Sequence, residues 1–147
     1  MTTIKHVMAP QTGADAPVIE EVPLRRGEDA FKVKSCRFEI LNLGDFTGIV
    51  GVAFIRMGLA KTNSAYGAEV GESSSDAAII SQELYLGATS SDFIKTLTVS
   101  DQLVVEGGLF LSVHSVGAIT DRLIVGVVIE GDYVKLSELE KARLAFL

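Results

Sequence analysis

The sequence predicts an all-β protein that folds as an antiparallel β-sandwich. Between Thr98 and Leu136, four short apolar runs alternate with clusters of Gly, Asp and Ser, which is typical of strands joined by turns. These clusters are too short to contain crossover helices, so the strands are expected to pair antiparallel. Similar runs earlier in the chain bring the predicted total to about eight strands. The four runs are 103–105, 109–113, 123–129 and 133–136, with turns expected at 106–108, 115–121 and 130–132.

The length and charge of the chain limit what kind of protein it can be. At 147 residues it is long enough for one domain with a substantial core. Its net charge of −6 disfavours direct nucleic-acid binding by the folded body, because proteins that grip phosphates are normally basic. The sequence shows neither a signal peptide nor a run of the roughly 20 apolar residues that spans a bilayer. It therefore predicts a soluble chain without a transmembrane segment.

A single cysteine, Cys36, excludes an internal disulfide and a Cys-rich zinc site. Because it lies in a strand-like run with no second ligand or base nearby, we expect a buried thiol that behaves as a small hydrophobic residue. A reactive or metal-binding thiol is the less favoured alternative.

The N-terminal segment, residues 1–23, holds all three prolines of the chain. Proline fixes φ and lacks a backbone donor, so it disfavours a central strand position. We therefore predict an extended arm, largely outside the core, that lies along an edge of the body or on a neighbouring subunit. A flexible terminus without fixed structure is an equally good interpretation. The sandwich domain then covers residues 24–147.

Residues 30–41 alternate like a strand, but the apolar positions change parity halfway along. A shift of one residue turns every side chain to the other face, so a β-bulge near Lys34 and Ser35 would keep both apolar sets inward. The first set is Phe31 and Val33, and the second is Cys36, Phe38 and Ile40.

Residues 48–60 are apolar at both parities, which predicts a strand buried on both faces or one that also meets a partner. The polar stretch 61–76 is then a loop of about sixteen residues, and loops of that length are usually functional or mobile. Tyr66 and Val70 are its only large apolar residues. The loop is the first candidate for a contact surface.

Residues 77–86 fit both helical and strand spacing, and we favour a strand because the neighbouring elements are β. Residues 93–99 alternate clearly and form a further predicted strand. The only helix that we predict lies in the tail, at residues 137–147, because Ser137 and Glu140 have the spacing of a capping box. Eleven residues are too few for a stable isolated helix. This helix must therefore dock on the body or on another subunit.

Residues with catalytic or metal-binding chemistry are sparse. The two histidines, His6 and His114, do not have metal-ligand spacing, and a metal site normally needs three or four ligands. Ser115 and Asp121 could be combined with His114 into a triad, but a structural histidine is much the better interpretation. The two adjacent glycines, Gly107 and Gly108, are expected in a hairpin, away from any helix N-terminus that could hold phosphate. The sequence predicts no catalytic site, no metal, no cofactor and no enzymatic activity.

The run from Asp101 to Val113 has the form of a strand, a polar Gly turn and a second strand. A Gly-Ala loop, a long apolar strand, a Gly-Asp turn, a last strand and a short helix follow. This order resembles the single jelly-roll capsid proteins of viruses. The resemblance implies a single jelly roll and a structural shell protein that is found in the virion and assembled in the host cytoplasm. Its partners would be itself and other capsid proteins.

Because the body is acidic, a membrane layer or a second protein would separate such a shell from its genome. The alternative function is a jelly-roll module that binds a carbohydrate or small ligand, with residues 61–76 as its mouth. For the shell protein, the expected contacts are apolar residues of the arm, the loop and the helix. They are Ile4, Val7, Val18, Tyr66, Val70, Leu139 and Phe146.

Overall fold

The structure is a computed structural model that describes residues 1–8, 18–41, 49–63, 78–86, 97–119 and 124–144. These residues contain eight strands and one short helix. Their bounds are β1 (Thr2–Met8), β2 (Val18–Glu21), β3 (Ala30–Ile40), β4 (Ile49–Ala60), β5 (Ala78–Leu86), β6 (Leu97–Val104), β7 (Phe110–Ile119), β8 (Val125–Val134) and α1 (Glu138–Leu144).

The strands form two four-stranded sheets in which every pairing is antiparallel. Sheet A has the order β1-β8-β3-β6, and sheet B has the order β2-β7-β4-β5. The first strand therefore pairs with the eighth, the second with the seventh, the third with the sixth and the fourth with the fifth. This nested pairing is that of one long hairpin rolled into two layers, which is the jelly roll. The predicted all-β antiparallel sandwich is confirmed.

The core lies between the two sheets and is formed by alternate residues of the strands, as expected when one face of each sheet is buried. β3 and β8 supply the centre of sheet A, and β4 and β7 supply that of sheet B. The largest fully buried side chains are Phe31, Phe38, Ile55, Met57, Leu59, Leu109, Leu111 and Ile129.

The predicted bulge in β3 is confirmed. The register of β3 shifts between Val33 and Ser35 against both of its neighbours, β6 and β8. Phe31 and Val33 are buried before the shift, and Cys36 and Phe38 are buried after it. The extra residue thus lets one strand keep inward side chains on both parities.

Two predicted strand boundaries are wrong. The runs 93–99 and 103–105 were expected as separate strands, but 97–104 is the single strand β6. Likewise, β8 continues through the expected turn at 130–132 and ends at Val134, so it includes only the first half of the run predicted at 133–136. The reason is that Gly131 serves a close approach rather than a turn. A Cβ at this position would fall on the backbone oxygen of Lys32 and lie 2.9 Å from the Phe31 ring.

The turn at 106–108 is confirmed, but it does not close a hairpin. Gly107 has a φ of 77°, and the Gly108 amide donates to the Val105 carbonyl over 2.9 Å. Because β6 belongs to sheet A and β7 to sheet B, this turn crosses from one layer to the other. β7 also extends to Ile119, so most of the loop predicted at 115–121 is strand. The strand assignment for 77–86 is confirmed by β5.

The described residues of the N-terminal segment lie along the edges of the body. β1 is the edge strand of sheet A beside β8, and β2 is the edge strand of sheet B beside β7. Met8 and Val22 are buried in the core cluster. The segment thus contributes one edge strand to each layer of the sandwich.

Candidate functional site

The residues predicted for contacts are found in three different environments. Ile4 and Val18 are partly buried and pack against the core. Val7 is 55% exposed on the outer face of sheet A, and Leu139 is 61% exposed on α1. Tyr66, Val70 and Phe146 lie outside the described residues. The structure therefore leaves Val7 and Leu139 available for contact and directs Ile4 and Val18 inward.

α1 is a short helix that polar contacts hold in place. The capping box is confirmed: the Glu140 amide donates to Ser137 Oγ over 3.2 Å, and the Ser137 amide donates to Glu140 Oε1 over 3.3 Å. The segment before the helix is tied to the β2–β3 connection, since the Leu136 amide donates to Asp29 Oδ2 over 2.9 Å. Lys141 Nζ lies 3.6 Å from Asp29 Oδ1. None of the residues 138–144 is fully buried, although Leu144 is half-buried.

Acidification is expected to release α1 from the β2–β3 connection. The pKa of Asp29 is held below its ordinary value, first by the hydrogen bond from the Leu136 amide and then by the charge of Lys141, with burial opposing them. Because the pKa of Asp29 is lower in the folded state, the stabilisation that its ionised carboxylate provides is complete above the unfolded pKa of about 4. This stabilisation is lost as the pH falls through the folded pKa. NMR titration of the Leu136 and Lys141 amide shifts between pH 7 and pH 2 tests this.

The control for this titration is Asp29→Asn, which retains an acceptor oxygen but does not ionise in the acid range. The Leu136 amide, which donates directly to this side chain, should then lose its transition below pH 4. An unchanged transition in Asp29→Asn would assign the acid response to another carboxyl group.

A side-chain contact joins the two sheets at one edge of the sandwich. His6 on β1 and Glu20 on β2 both occupy inward positions on edge strands, and His6 Nε2 lies 2.6 Å from Glu20 Oε1. Only 16% of the His6 side chain is exposed, whereas 46% of the Glu20 side chain is. Polar residues that point inward on edge strands protect the edge from pairing with another chain. This edge is therefore a poor candidate for strand-to-strand association.

The outer face of sheet A carries a small apolar patch. Val7 and Leu41 are 55% and 52% exposed and flank Gly126 of β8. A Cβ at Gly126 would lie 3.6 Å from Val7 and 3.7 Å from Leu41, so the missing side chain leaves a gap between them. We call Val7, Gly126 and Leu41 the Gly126 patch. The sequence predictions omitted Leu41, although its outward parity at the end of β3 could have indicated it.

Potentially reactive side chains of the described residues are not assembled into a site. Burial raises the pKa of the Cys36 thiol to about 12, which keeps it protonated and unreactive, as expected for a core residue. His114 lies within β7, with Arg56 of β4 as its cross-strand neighbour. Within the parts of the chain that the structure describes, no three His, Cys, Asp or Glu residues are grouped to hold a metal ion.

A shallow depression opens at the bulge of β3. Its volume is about 50 Å³. Ligand sites usually enclose roughly 300–1,000 Å³ and bury most of the ligand, so this depression is a weak candidate for a small-molecule site. It is lined by Ser35, Cys36, Arg37, Val128 and Glu130.

These features define an eight-stranded jelly-roll sandwich whose candidate functional elements are exposed surfaces. None of the protein-family models that were compared matches the chain, and no curated protein matches it significantly. Among the described segments, no helix has the length and apolar character needed to cross a membrane.

Proposed function

We propose that this protein is a structural subunit of a virus-like shell, which assembles with copies of itself through exposed surfaces of a jelly-roll body. Jelly rolls occur in viral capsid proteins and also in lectins and cupins, so the fold alone does not choose among these functions. The order of strands, turns and terminal helix favours the capsid class. In this proposal the protein resides in the virion, is assembled in the host cytoplasm and contacts other capsid proteins as well as itself.

The observation that carries the proposal is the state of α1. A seven-residue helix is far too short to be stable alone, and here a capping box and Asp29 hold it without burying any of its residues. Polar contacts thus fix a helix on which Leu139 is 61% exposed, whereas Leu144 is half-buried. Such an arrangement is expected when the apolar side meets another molecule, and for a shell protein that molecule is a neighbouring copy.

The charge of the chain sets a limit on the proposed role. With 19 acidic and 13 basic residues, the chain has a net charge of −6, which disfavours direct binding of nucleic acid. A membrane layer or a second protein would then lie between the shell and the genome. The ligand-binding alternative depends on residues 61–76, of which only 61–63 are described, and it gains no further support.

Self-association of the purified full chain is the expected result. Sedimentation velocity over a range of protein concentrations should show oligomers that grow with concentration. Leu139→Asp should weaken the association, because it places a charge where an apolar contact is proposed, while an acidic residue in the first helical turn is compatible with the helix.

The matched control is Ser81→Asp, which adds the same charge at an exposed position of β5 and should associate like the wild type. A wild-type chain that stays monomeric at all concentrations would contradict the proposal. A rise in melting temperature with carbohydrates would favour the ligand-binding alternative instead.

A further inference from the structure

The short strand β2 is held weakly by its own sheet. It forms four residue pairs with β7, its neighbour in sheet B, and none of its four residues is fully buried. The chain becomes firmly fixed at the next residue, Val22, which is buried and whose amide donates to the Leu109 carbonyl over 2.8 Å. Segments with few buried apolar side chains and one paired neighbour open at low free energies. β2 is therefore expected to leave the sandwich more easily than the central strands.

A side chain of the opposite sheet holds β2 from within. His6 of β1 reaches Glu20 of β2 across the space between the sheets, and its Nε2 lies 2.6 Å from Glu20 Oε1. A carboxylate can only accept a hydrogen bond, so Nε2 is the donor. β1 itself is better held than β2, since it forms seven residue pairs with β8 and ends on the buried Met8. The contact therefore ties a weakly held strand of sheet B to a better held strand of sheet A.

The strand neighbours of this contact are apolar. His6 lies opposite Val127 of β8, and Glu20 lies opposite Leu111 of β7, and both of these neighbours are buried. Only 16% of the His6 side chain is exposed. Loss of the contact would leave this mostly covered ring beside apolar side chains, which is unfavourable for a polar group. The contact thus favours the state in which both strands are in place.

We propose that His6 is a latch for β2: its contact with Glu20 keeps β2 on sheet B, and loss of the contact lets β2 open while the rest of the sandwich stays folded. Opening would leave β7 as the edge strand of sheet B, with a row of unpaired backbone donors and acceptors. Such an edge can pair with an extended segment of another chain. The latch thus controls whether this edge of the sandwich is closed or open. It is a property of the single chain and does not depend on the proposed shell.

Native-state hydrogen exchange of the full chain, measured by NMR, tests the latch. The readout is the exchange rate of the β2 amides that pair with β7, relative to the amides of the central strand β3. His6→Ala should raise this ratio roughly tenfold, because it removes a charge-assisted hydrogen bond that is made from the other sheet. Glu20→Ala should have an effect of similar size. The double variant should exceed either single variant by less than about twofold, since both changes remove the same contact.

Two matched controls truncate the exposed neighbours of these residues. Lys5→Ala on β1 and Glu21→Ala on β2 should change the ratio less than about twofold. An unchanged ratio in His6→Ala would overturn the latch. Wild-type β2 amides that exchange as slowly as those of β3 would also overturn it, because β2 would then open only with the whole protein. If His6→Ala does not fold, Glu20→Ala decides alone, since a side chain that is 46% exposed leaves no cavity.

Discussion

Replacing Gly131 with alanine is expected to destabilise the protein by about 3 kcal/mol or more. Gly131 is buried in β8, at the register position opposite Val33 of β3. An added Cβ would fall on the backbone oxygen of Lys32 and lie 2.9 Å from two atoms of the Phe31 ring. A side chain can rotate away from such a contact, but a paired backbone cannot. The sheet must therefore separate locally or lose hydrogen bonds.

Gly126→Ala provides the control in the same strand. Its Cβ would meet only ordinary contacts, the nearest being the His6 carbonyl oxygen at 3.5 Å. Since glycine costs about 0.5–1 kcal/mol relative to alanine inside a strand, this variant should be neutral or slightly more stable. Urea unfolding at a fixed protein concentration compares the two variants. Similar midpoints for Gly131→Ala and Gly126→Ala would show that β8 does not approach β3 as closely as described.

Phe31→Ala is expected to have the second large effect and to lower the free energy of unfolding by about 3–5 kcal/mol. Phe31 is fully buried and lies in the middle of sheet A, between Val104 of β6 and Tyr133 of β8. Its ring packs edge-to-face with that of Tyr133, with centroids 4.9 Å apart and the planes at 67°. The ring also covers Gly131, so its loss would leave a cavity lined by three strands.

Tyr133→Phe separates ring packing from hydrogen bonding at this position. The Tyr133 hydroxyl accepts a hydrogen bond from the Arg25 amide over 2.8 Å, and the Arg25 guanidinium lies 4.6 Å from the ring centroid. The variant retains the ring and loses only the hydroxyl, so its free energy of unfolding is expected to fall by about 1 kcal/mol or less. Thermal unfolding should lower the melting temperature by about 10 °C or more for Phe31→Ala and by a few degrees for Tyr133→Phe. Equal shifts would contradict the assigned role of the Phe31 ring.

Local patterns were sufficient to predict several parts of this fold. The change of parity between Val33 and Cys36 predicted the bulge, because only an extra residue can keep both sets inward. The spacing of Ser137 and Glu140 predicted the helix cap, because both partners lie within one turn. In each case the determining residues are neighbours in the chain.

Features that depend on distant residues could not be predicted in this way. Gly131 beside an aspartate has the sequence of a turn, and only the neighbouring strand β3 shows that it serves close packing. The connection at 106–108 has hairpin chemistry, yet the pairing of β6 and β7 with other strands turns it into a crossing between sheets. The anchor of α1 joins Asp29 to Leu136, which are 107 residues apart.

The candidate surfaces were predicted only in part for the same reason. Apolar residues near the N-terminus gave no indication of which side would face the core, and the pairing of β1 with β8 directs Ile4 inward and Val7 outward. Leu41 becomes part of a patch only because β8 places Gly126 between it and Val7. Exposure of this kind is a property of the sheet as a whole.

Electron microscopy of the purified full-length chain, at concentrations where sedimentation shows association, tests self-assembly most directly. Closed particles of uniform size, built from repeating copies, are the predicted result. The Leu139→Asp variant on the same grids should show fewer and smaller particles. Uniform monomers of the wild type under all conditions, or aggregates without repeating order, would contradict a role as a shell subunit.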